Sequence, residues 1–422
     1  MRILIVGINY HPEITGIGKY TTELCEWLVK QGCDVHVITA PPYYPAWKIE
    51  KGYSVFKYQA EEINGVKVIR CPLWVPCKPS GLKRILHLLS FAVSSFGAII
   101  AQTLIWRPQL MISIEPPIFC SPGVWLASKI DNPKTLLHVQ DLEIDAAFNL
   151  GILKAKPLKK LIFGFERFIM RRFDKVTTIS HNMRQKLIEK GVDSSKALLL
   201  QNWVDTQQIF PLEKRDINYA DFTIPLHKTI FLYSGAMGQK QGLELLIEAA
   251  SALQSHEEVH FVICGEGPAK QKIKDMADGL PNVQFLDFQP LDKFNHLLSI
   301  ADVHLLPQKT EASDLVMPSK LTAMLASGKP IIATAEETTE IASVVNQCGF
   351  CVPFGQLDKF TAVILALSSD SNLRLVLGEK ARKYAVDHLQ KNEILNEAFE
   401  SAIREMQKRN IDPNTILPAR LM

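Results

Sequence analysis

The 422-residue chain has almost no surplus of charge, with 47 Lys and Arg against 44 Asp and Glu, a net of +3. That excludes nucleic-acid binding through overall basicity, so any functional cation must be local. A disulfide framework is absent too. The eight cysteines, at 25, 33, 71, 77, 120, 264, 348 and 351, are scattered, and some sit in apolar runs such as Phe261-Val-Ile-Cys264. This is the pattern of reduced, buried thiols in a cytosolic protein. Cys348 and Cys351 have C-x-x-C spacing, but no second pair or His cluster accompanies them, and no zinc or redox site is read there. The first residues, Met1-Arg-Ile-Leu-Ile-Val-Gly7, hold too short an apolar run for a secretory signal and read as a strand. Glu311 and Asp314 do not make the short Asp-x-Asp spacing of a phosphate-bridging cation, so neither metal nor other cofactor is expected. No paired carboxylates suggest a glycosidase.

What is present is a folded globular protein, 47% hydrophobic and 22% charged, long enough for two domains of about 200 residues each. Residues 2–7 form an apolar run, and a loop containing Gly16 and Gly18 leads into a helical pattern through Gln31. The third glycine of the dinucleotide fingerprint is missing, since Thr21 stands in its place, which argues against NAD. Strands are expected at 34–39, 66–70, 109–114, 134–139 and 175–180, alternating with helical segments in the rhythm of a mostly parallel sheet. After a polar, proline-flanked pause the rhythm restarts at Thr229-Ile-Phe-Leu-Tyr-Ser-Gly235, with strands at 259–264, 283–286, 302–306 and 330–334. The resulting division is 1–205, a linker at 206–226, 227–385, and a C-terminal helix and tail at 386–422. The fold class is α/β, with two doubly wound Rossmann-like domains.

Two segments of the first half point to a membrane surface. Residues 82–106 are the most apolar stretch of the chain, weakened as a true span by His87, Gln102 and hydroxyl residues. Residues 154–175 mix Lys154, Lys156, Lys159, Lys160, Arg167, Arg171 and Arg172 with Phe163, Phe165, Phe168 and Phe173, the composition of an interfacial helix on anionic lipid.

In the second half, Ser313 to Pro330 reads as a loop feeding a helix start. Pro318 suits the first helical position, Ser319 and Lys320 fill the first turn, and Gly328 and Pro330 stop the helix after about three turns. Free N–H groups and the helix dipole there suit a phosphate or diphosphate, to which Lys320 adds a charge. Gly235 to Gly242 reads as a second glycine-rich turn entering a helix, where backbone N–H groups and Lys240 meet the same anion.

The order Gly16-Ile-Gly18, Asn202-Trp-Val-Asp205, Ser234-Gly-Ala-Met-Gly-Gln-Lys-Gln-Gly-Leu243, Gly265-Glu-Gly-Pro268 and Ala326-Ser-Gly-Lys-Pro330 resembles the family 4 retaining glycosyltransferases of GT-B fold over nearly the whole chain. Val139-Gln-Asp-Leu142 and Leu315-Val-Met-Pro-Ser-Lys-Leu321 resemble the branch that includes colanic acid and O-antigen glycosyltransferases. The resemblance implies a nucleotide-sugar donor in the C-terminal domain, an acceptor in the N-terminal domain, and chemistry in the cleft they face. Donor contacts fall on Gly16, Gly18, Gly235, Lys240, Glu266, Val316, Met317, Ser319 and Lys320, and acceptor contacts on Glu13 and Thr15. His138, Gln140 and Asp141 compete for the catalytic place at the end of an N-domain strand, with Glu143 and Asp145 as neighbours. Departures from the family are Ala236 and Gln241 where it carries Arg and Lys, and Ala323 where it holds ribose with Glu. The implied activity is hexosyl transfer to a lipid-linked saccharide in exopolysaccharide or O-antigen synthesis, in the cytoplasm at the inner face of the membrane, without nucleic acid. A GT-B epimerase or phosphorylase, or a non-catalytic nucleotide-sugar-binding scaffold, are the alternatives.

Overall fold

The computed structural model describes residues 1–13, 16–77, 81–116, 118–142, 145, 156–309 and 318–407. Contacts divide the chain into two units, Met1–Gln201 with Leu395–Met422, and Asn202–Ile394.

The strands of the first unit are β1 (Arg2–Val6), β2 (Asp34–Thr39), β3 (Gln59–Ile63), β4 (Val66–Arg70), β5 (Leu110–Glu115), β6 (Lys134–Val139), β7 (Lys175–Thr178) and β8 (Ala197–Leu199). They form one sheet in the order β3-β4-β2-β1-β5-β6-β7-β8. Strands β1, β2, β5 and β6 are mainly apolar and buried nearly throughout, His36, Ser113 and His138 included, as a parallel strand covered on both faces requires. Only β3 runs antiparallel to its neighbour, β4. It is not among the strands expected from the sequence. Asn64 and Gly65 close the hairpin with positive φ angles of 51° and 81°, the signature of a tight two-residue turn. As a half-exposed edge strand bearing Glu61 and Glu62, β3 needs no apolar run.

The helices of this unit are α1 (Gly16–Lys30), α2 (Gly81–Ile105), α3 (Ser121–Asp131), α4 (Lys156–Met170) and α5 (His181–Glu189). Right-handed crossovers place α1 on one face and α2, α3 and α4 on the other. On that second face α2 packs on α3, and α3 on α4. Helix α2 turns His87, Ser95 and Thr103 inward, all fully buried. His87 Nδ1 lies 2.7 Å from Trp74 O, and Thr103 Oγ1 donates to Ile99 O at 2.8 Å. Its outer face carries Leu86, Leu89, Val93, Phe96 and Leu104, with Val93 77% exposed. Lys83–Ile105 is long and apolar enough to cross a membrane by length and composition.

The second unit repeats the plan more compactly. β9 (Thr229–Ser234), β10 (Val259–Cys264), β11 (Val283–Leu286), β12 (Val303–Leu306), β13 (Ile331–Thr334) and β14 (Gly349–Val352) are parallel, in the order β11-β10-β9-β12-β13-β14. Its described helices are α6 (Glu244–Ala252), α7 (Lys270–Met276), α8 (Leu291–Ser299), α9 (Lys320–Ala326), α10 (Glu340–Val345), α11 (Leu357–Ser369) and α12 (Ser371–His388). A last helix, α13 (Lys391–Gln407), follows. The strand order reverses between β9 and β12, so the carboxyl ends of those two strands mark where such a sheet takes a ligand.

Two boundaries differ from the sequence reading. Residues 206–226 are not a linker: Ile217, Phe222 and Ile224 are buried with Ile230, Leu232 and Val262 in a core of the second unit. Their apolar positions lie one at a time among polar residues, which hides them from a pattern search. The chain from Leu395 on belongs to the first unit, where Phe399 meets the Trp27 ring of α1 edge-on at 5.8 Å.

Candidate active site

At the carboxyl end of β9 the chain turns at Gly235, and at the end of β10 at Gly265 and Gly267. A Cβ at Gly265 would stand 1.9 Å from Gly235 O, and one at Gly267 2.5 Å from Met237 O. Both residues have φ near +150°, so glycine is required twice over. This lets the loops zip together. The Gly235 N–H donates to Cys264 O at 3.0 Å, and the Met237 N–H to Glu266 O at 2.8 Å. The Gly238 N–H donates to Gln241 Oε1 at 3.0 Å. These N–H groups are therefore not available to cradle an anion, contrary to the sequence reading of the turn. Gln241, where the family carries Lys, holds the turn itself.

What faces this edge instead is cationic. Lys320 opens α9 and lies across Gly235, so that a Cβ built there would be 3.4 Å from its Cδ and Nζ. Its Nζ sits 4.0 Å from the centroid of the Tyr233 ring, a cation–π distance. The stem is partly exposed, but Nζ is buried and has no hydrogen-bond partner among the described residues. Burial, and secondarily the charge of Lys240, lowers its pKa to about 7. A buried amine left unpaired is costly unless an anion completes it. Lys240 lies on the exposed turn Gln239–Gln241, and its carbonyl accepts the Lys309 N–H at 3.0 Å. Lys309, one residue beyond the strand-end loop of β12, was missed in the sequence reading. Only the strand order reveals that it adjoins Lys240.

The remaining donor-side expectations divide. The Glu266 carboxylate pairs with Lys270, which also reaches Asp287 at 2.9 Å. Ser319 stands at the start of α9 without capping it through its side chain. The helix spans seven residues rather than three turns, and the Pro318 carbonyl accepts the Leu321 N–H at 3.0 Å, so the proline precedes the helix. Ala323 is buried, so this position presents no side chain to a ribose. Val316 and Met317, with Glu311 and Asp314, lie outside the described residues.

In the first unit, the switch falls between β1 and β5. Glu13, in the loop after β1, is buried. Its Oε1 accepts the N–H groups of Tyr43 and Tyr44 at 2.9 Å each, and Oε2 accepts Asn9 Nδ2 at 2.7 Å. Burial raises its pKa to about 7 despite these bonds. Glu13 thus ties the loops after β1 and β2 together, with both oxygens occupied, rather than offering a free acceptor contact. Gly18 packs against Glu13, since a Cβ there would be 2.9 Å from its backbone carbonyl oxygen and 3.3 Å from Oε2; a Cβ at Gly16, with φ +57°, would meet nothing within 4 Å. Thr15 and Glu143 lie outside the described residues.

His138 is a core residue. It is buried in β6, its Nδ1 is 2.9 Å from Thr177 Oγ1 on β7, and burial holds its pKa down to about 4, so it is neutral. Gln140 is buried at the strand end, its N–H donating to Glu115 O at 3.2 Å. Asp141 follows at the carboxyl edge, and Asp145 beyond it pairs with Lys190 at 2.7 Å. Glu115, buried at the carboxyl end of β5 with Ser121 Oγ 3.5 Å away, is a strand-end residue that the sequence reading overlooked.

Two doubly wound sheets, the second with a cationic edge at its switch point, have the architecture of the GT-B class. Residues 15–203 match the model of the glycosyl transferase 4-like domain, and residues 214–384 that of glycosyl transferases group 1. The chain belongs to this glycosyltransferase family. It is 42% identical over 416 residues to WcaI of Escherichia coli K12, covering 94% of this chain and 98% of that one; WcaI carries a provisional assignment as a colanic acid biosynthesis glycosyl transferase. Among solved structures, sucrose-phosphate synthase from Thermosynechococcus elongatus superposes with TM-score 0.77 at 15% identity, covering 97% of this chain and all of that one. Anabaena Alr3699/HepE, solved in complex with UDP-glucose, gives 0.71 at 14% identity over 96% of this chain and all of that one. These distant likenesses establish the fold.

Proposed function

We propose that this glycosyltransferase moves one hexosyl unit, with retention, from a nucleotide-diphosphate sugar to a lipid-linked saccharide in exopolysaccharide synthesis, at the cytoplasmic face of the membrane. The observation that carries the donor half is the buried Lys320 amine above Gly235, without a hydrogen-bond partner among the described residues, with Lys240 and Lys309 nearby. A diphosphate completes that amine, and the fixed cations stabilise the charge that grows on it as the glycosidic bond breaks. No protein nucleophile is required, because the leaving phosphate can take the proton of the acceptor hydroxyl. Asp141 at the edge of the first sheet is our choice for contact with the transferred sugar. With lysines supplying the positive charge, the reaction needs no metal.

The acceptor half rests on chemistry and relationship. WcaI, similar along nearly its whole length, is assigned to colanic acid synthesis. The outer face of α2 and the exposed Phe165 and Phe168 of α4 supply an apolar surface on one side of the first unit, as peripheral contact with a bilayer needs.

Calorimetric titration with UDP, GDP and their sugar conjugates, in EDTA and then in magnesium, tests the donor half. Binding of one base, unchanged by EDTA and weakened in Lys320→Ala, is expected. Binding that requires magnesium would overturn the metal-independent mechanism, and no binding to any nucleotide would overturn the donor assignment.

A further inference from the structure

The outer surface of the first unit holds a groove of about 480 Å³ lined by Gly164, Arg167, Phe168, Arg171 and Arg172, at the C-terminal end of α4. That volume is in the range of small-ligand sites. None of its three arginines makes an ion pair within 4 Å among the described residues, although the Arg167 charge acts on the Glu166 carboxyl. Two of them are held in place. Arg171 Nε donates to Gly191 O at 2.9 Å, and its guanidinium fills the space where a Cβ on Gly191 would stand. The Arg172 guanidinium lies 4.4 Å from the Phe168 ring centroid and 5.5 Å from that of Trp125 on α3. The two rings meet edge to face at 5.8 Å. Side chains fixed by a backbone carbonyl and aromatic faces lose little freedom on meeting an anion, and planar guanidinium groups suit phosphate.

Gly164 forms the floor. A Cβ there would meet nothing within 4 Å. Packing therefore does not demand glycine, and in an exposed helix interior glycine is the worse helix former. Its effect is to leave the groove empty. Phe168 in the groove wall and its neighbour Phe165 are about two-fifths exposed, and Leu126 and Ile130 of α3, the helix whose Trp125 meets Phe168, nearly half.

We propose that this groove is a binding site for the phosphate-bearing headgroup of an acidic phospholipid, with the guanidinium groups on the phosphodiester and the neighbouring apolar side chains toward the acyl chains. Charge complementarity selects the anion, and the exposed phenylalanines and aliphatic residues select an amphiphile over free phosphate. The inference rests on the membrane reading above and makes it specific, since diffuse basicity attracts any anionic surface whereas a groove recognises one group.

Filling the groove while keeping every charge is the decisive test. Co-sedimentation of the full chain with phosphatidylglycerol/phosphatidylcholine and with pure phosphatidylcholine vesicles would be measured for wild type, Gly164→Leu, Arg171→Gln/Arg172→Gln and Val93→Ser/Phe96→Ser. Gly164→Leu is expected to lower affinity for the phosphatidylglycerol vesicles about tenfold, as the arginine pair does, the loss of one or two charge-assisted contacts. Thermal unfolding of Gly164→Leu should come at or above the wild-type temperature, because the site is open and leucine is the better helix former. In calorimetry, dihexanoyl-phosphatidylglycerol should bind wild type and not Gly164→Leu, while inorganic phosphate at equal concentration should not bind. Wild-type affinity in Gly164→Leu, or tighter binding through its added leucine, overturns the groove. If Val93→Ser/Phe96→Ser alone then releases the protein, the membrane reading stands without it. If wild type sediments with neither vesicle, the membrane reading falls.

Discussion

The two units share a strand order and differ at both the places that matter. At the carboxyl edge of the second sheet stand Lys240, Lys309 and the buried Lys320; at that of the first stand Glu13, Glu115 and Asp141, with the neutral His138 inside the sheet behind them. The outer surfaces differ as well, since α2, α3 and α4 of the first unit expose an apolar face flanked by arginines. In our reading, one scaffold thus serves an anion in one half and uncharged hydroxyls and a lipid surface in the other. The sheet provides the edge, and the residues at strand ends decide what it receives.

The comparison can be broken most severely at Gly265. Because its Cβ would fall within 2 Å of a carbonyl oxygen, Gly265→Ala should destabilise the second unit by about 3 kcal/mol or more. Denaturant unfolding should show the loss, and an unchanged transition would mean that the two loops are not locked as described. Next comes Lys320→Ala, expected to weaken nucleotide-sugar binding by roughly 1.5–3 kcal/mol if the amine makes charge-assisted contacts; affinity equal to wild type would remove the cationic edge from the comparison.

The acid–base behaviour of Lys320 sharpens the same point. With its pKa lowered to about 7, the free protein loses this proton as pH rises above neutrality, and a bound diphosphate restores it. Donor affinity should fall between pH 7 and pH 9, by up to about tenfold per unit, with proton uptake on binding. Lys320→Ala should show a flatter profile. For folding the sign is opposite: the unfolded lysine keeps its proton up to its ordinary value, so this residue makes the fold more stable as pH climbs from about 7 toward that value. The smallest effect is expected at His138. His138→Gln should change turnover by no more than about twofold while altering stability by about 1 kcal/mol through the Thr177 contact. A large loss of turnover with intact folding would return the histidine to the catalytic group.

Much of this architecture was legible in the residues. Continuous apolar runs announced most central strands, whereas the glycines at 235, 265 and 267 stood out only as turn and motif residues and not as the place where two loops lock together. The hairpin strand β3 went unread although Asn64-Gly65 signals its turn, because an edge strand with charges on it lacks the expected hydrophobicity. At the candidate site, Lys320 and Lys240 were singled out from helix-start and turn chemistry. The commitment of the Gly235, Met237 and Gly238 N–H groups was not, since a donor's partner depends on which loop lies opposite. Lys309 and Glu115 were missed for a related reason: a residue just past a strand acquires meaning only when strand order shows which ends adjoin the switch point. His138 is the reverse case, a residue type that suggests catalysis until its neighbour Thr177 shows a sheet interior.

The return of the chain from Leu395 to the first unit bears on how the protein is made. That unit is discontinuous in sequence, with Asn202–Ile394 inserted between its parts. During synthesis the ribosome releases the first sheet well before the Phe399 that covers Trp27, so the α1 face stays uncapped until the whole second unit has emerged. A message truncated near its end would yield a nucleotide-binding half able to close its core beside a partner half still missing its last helix.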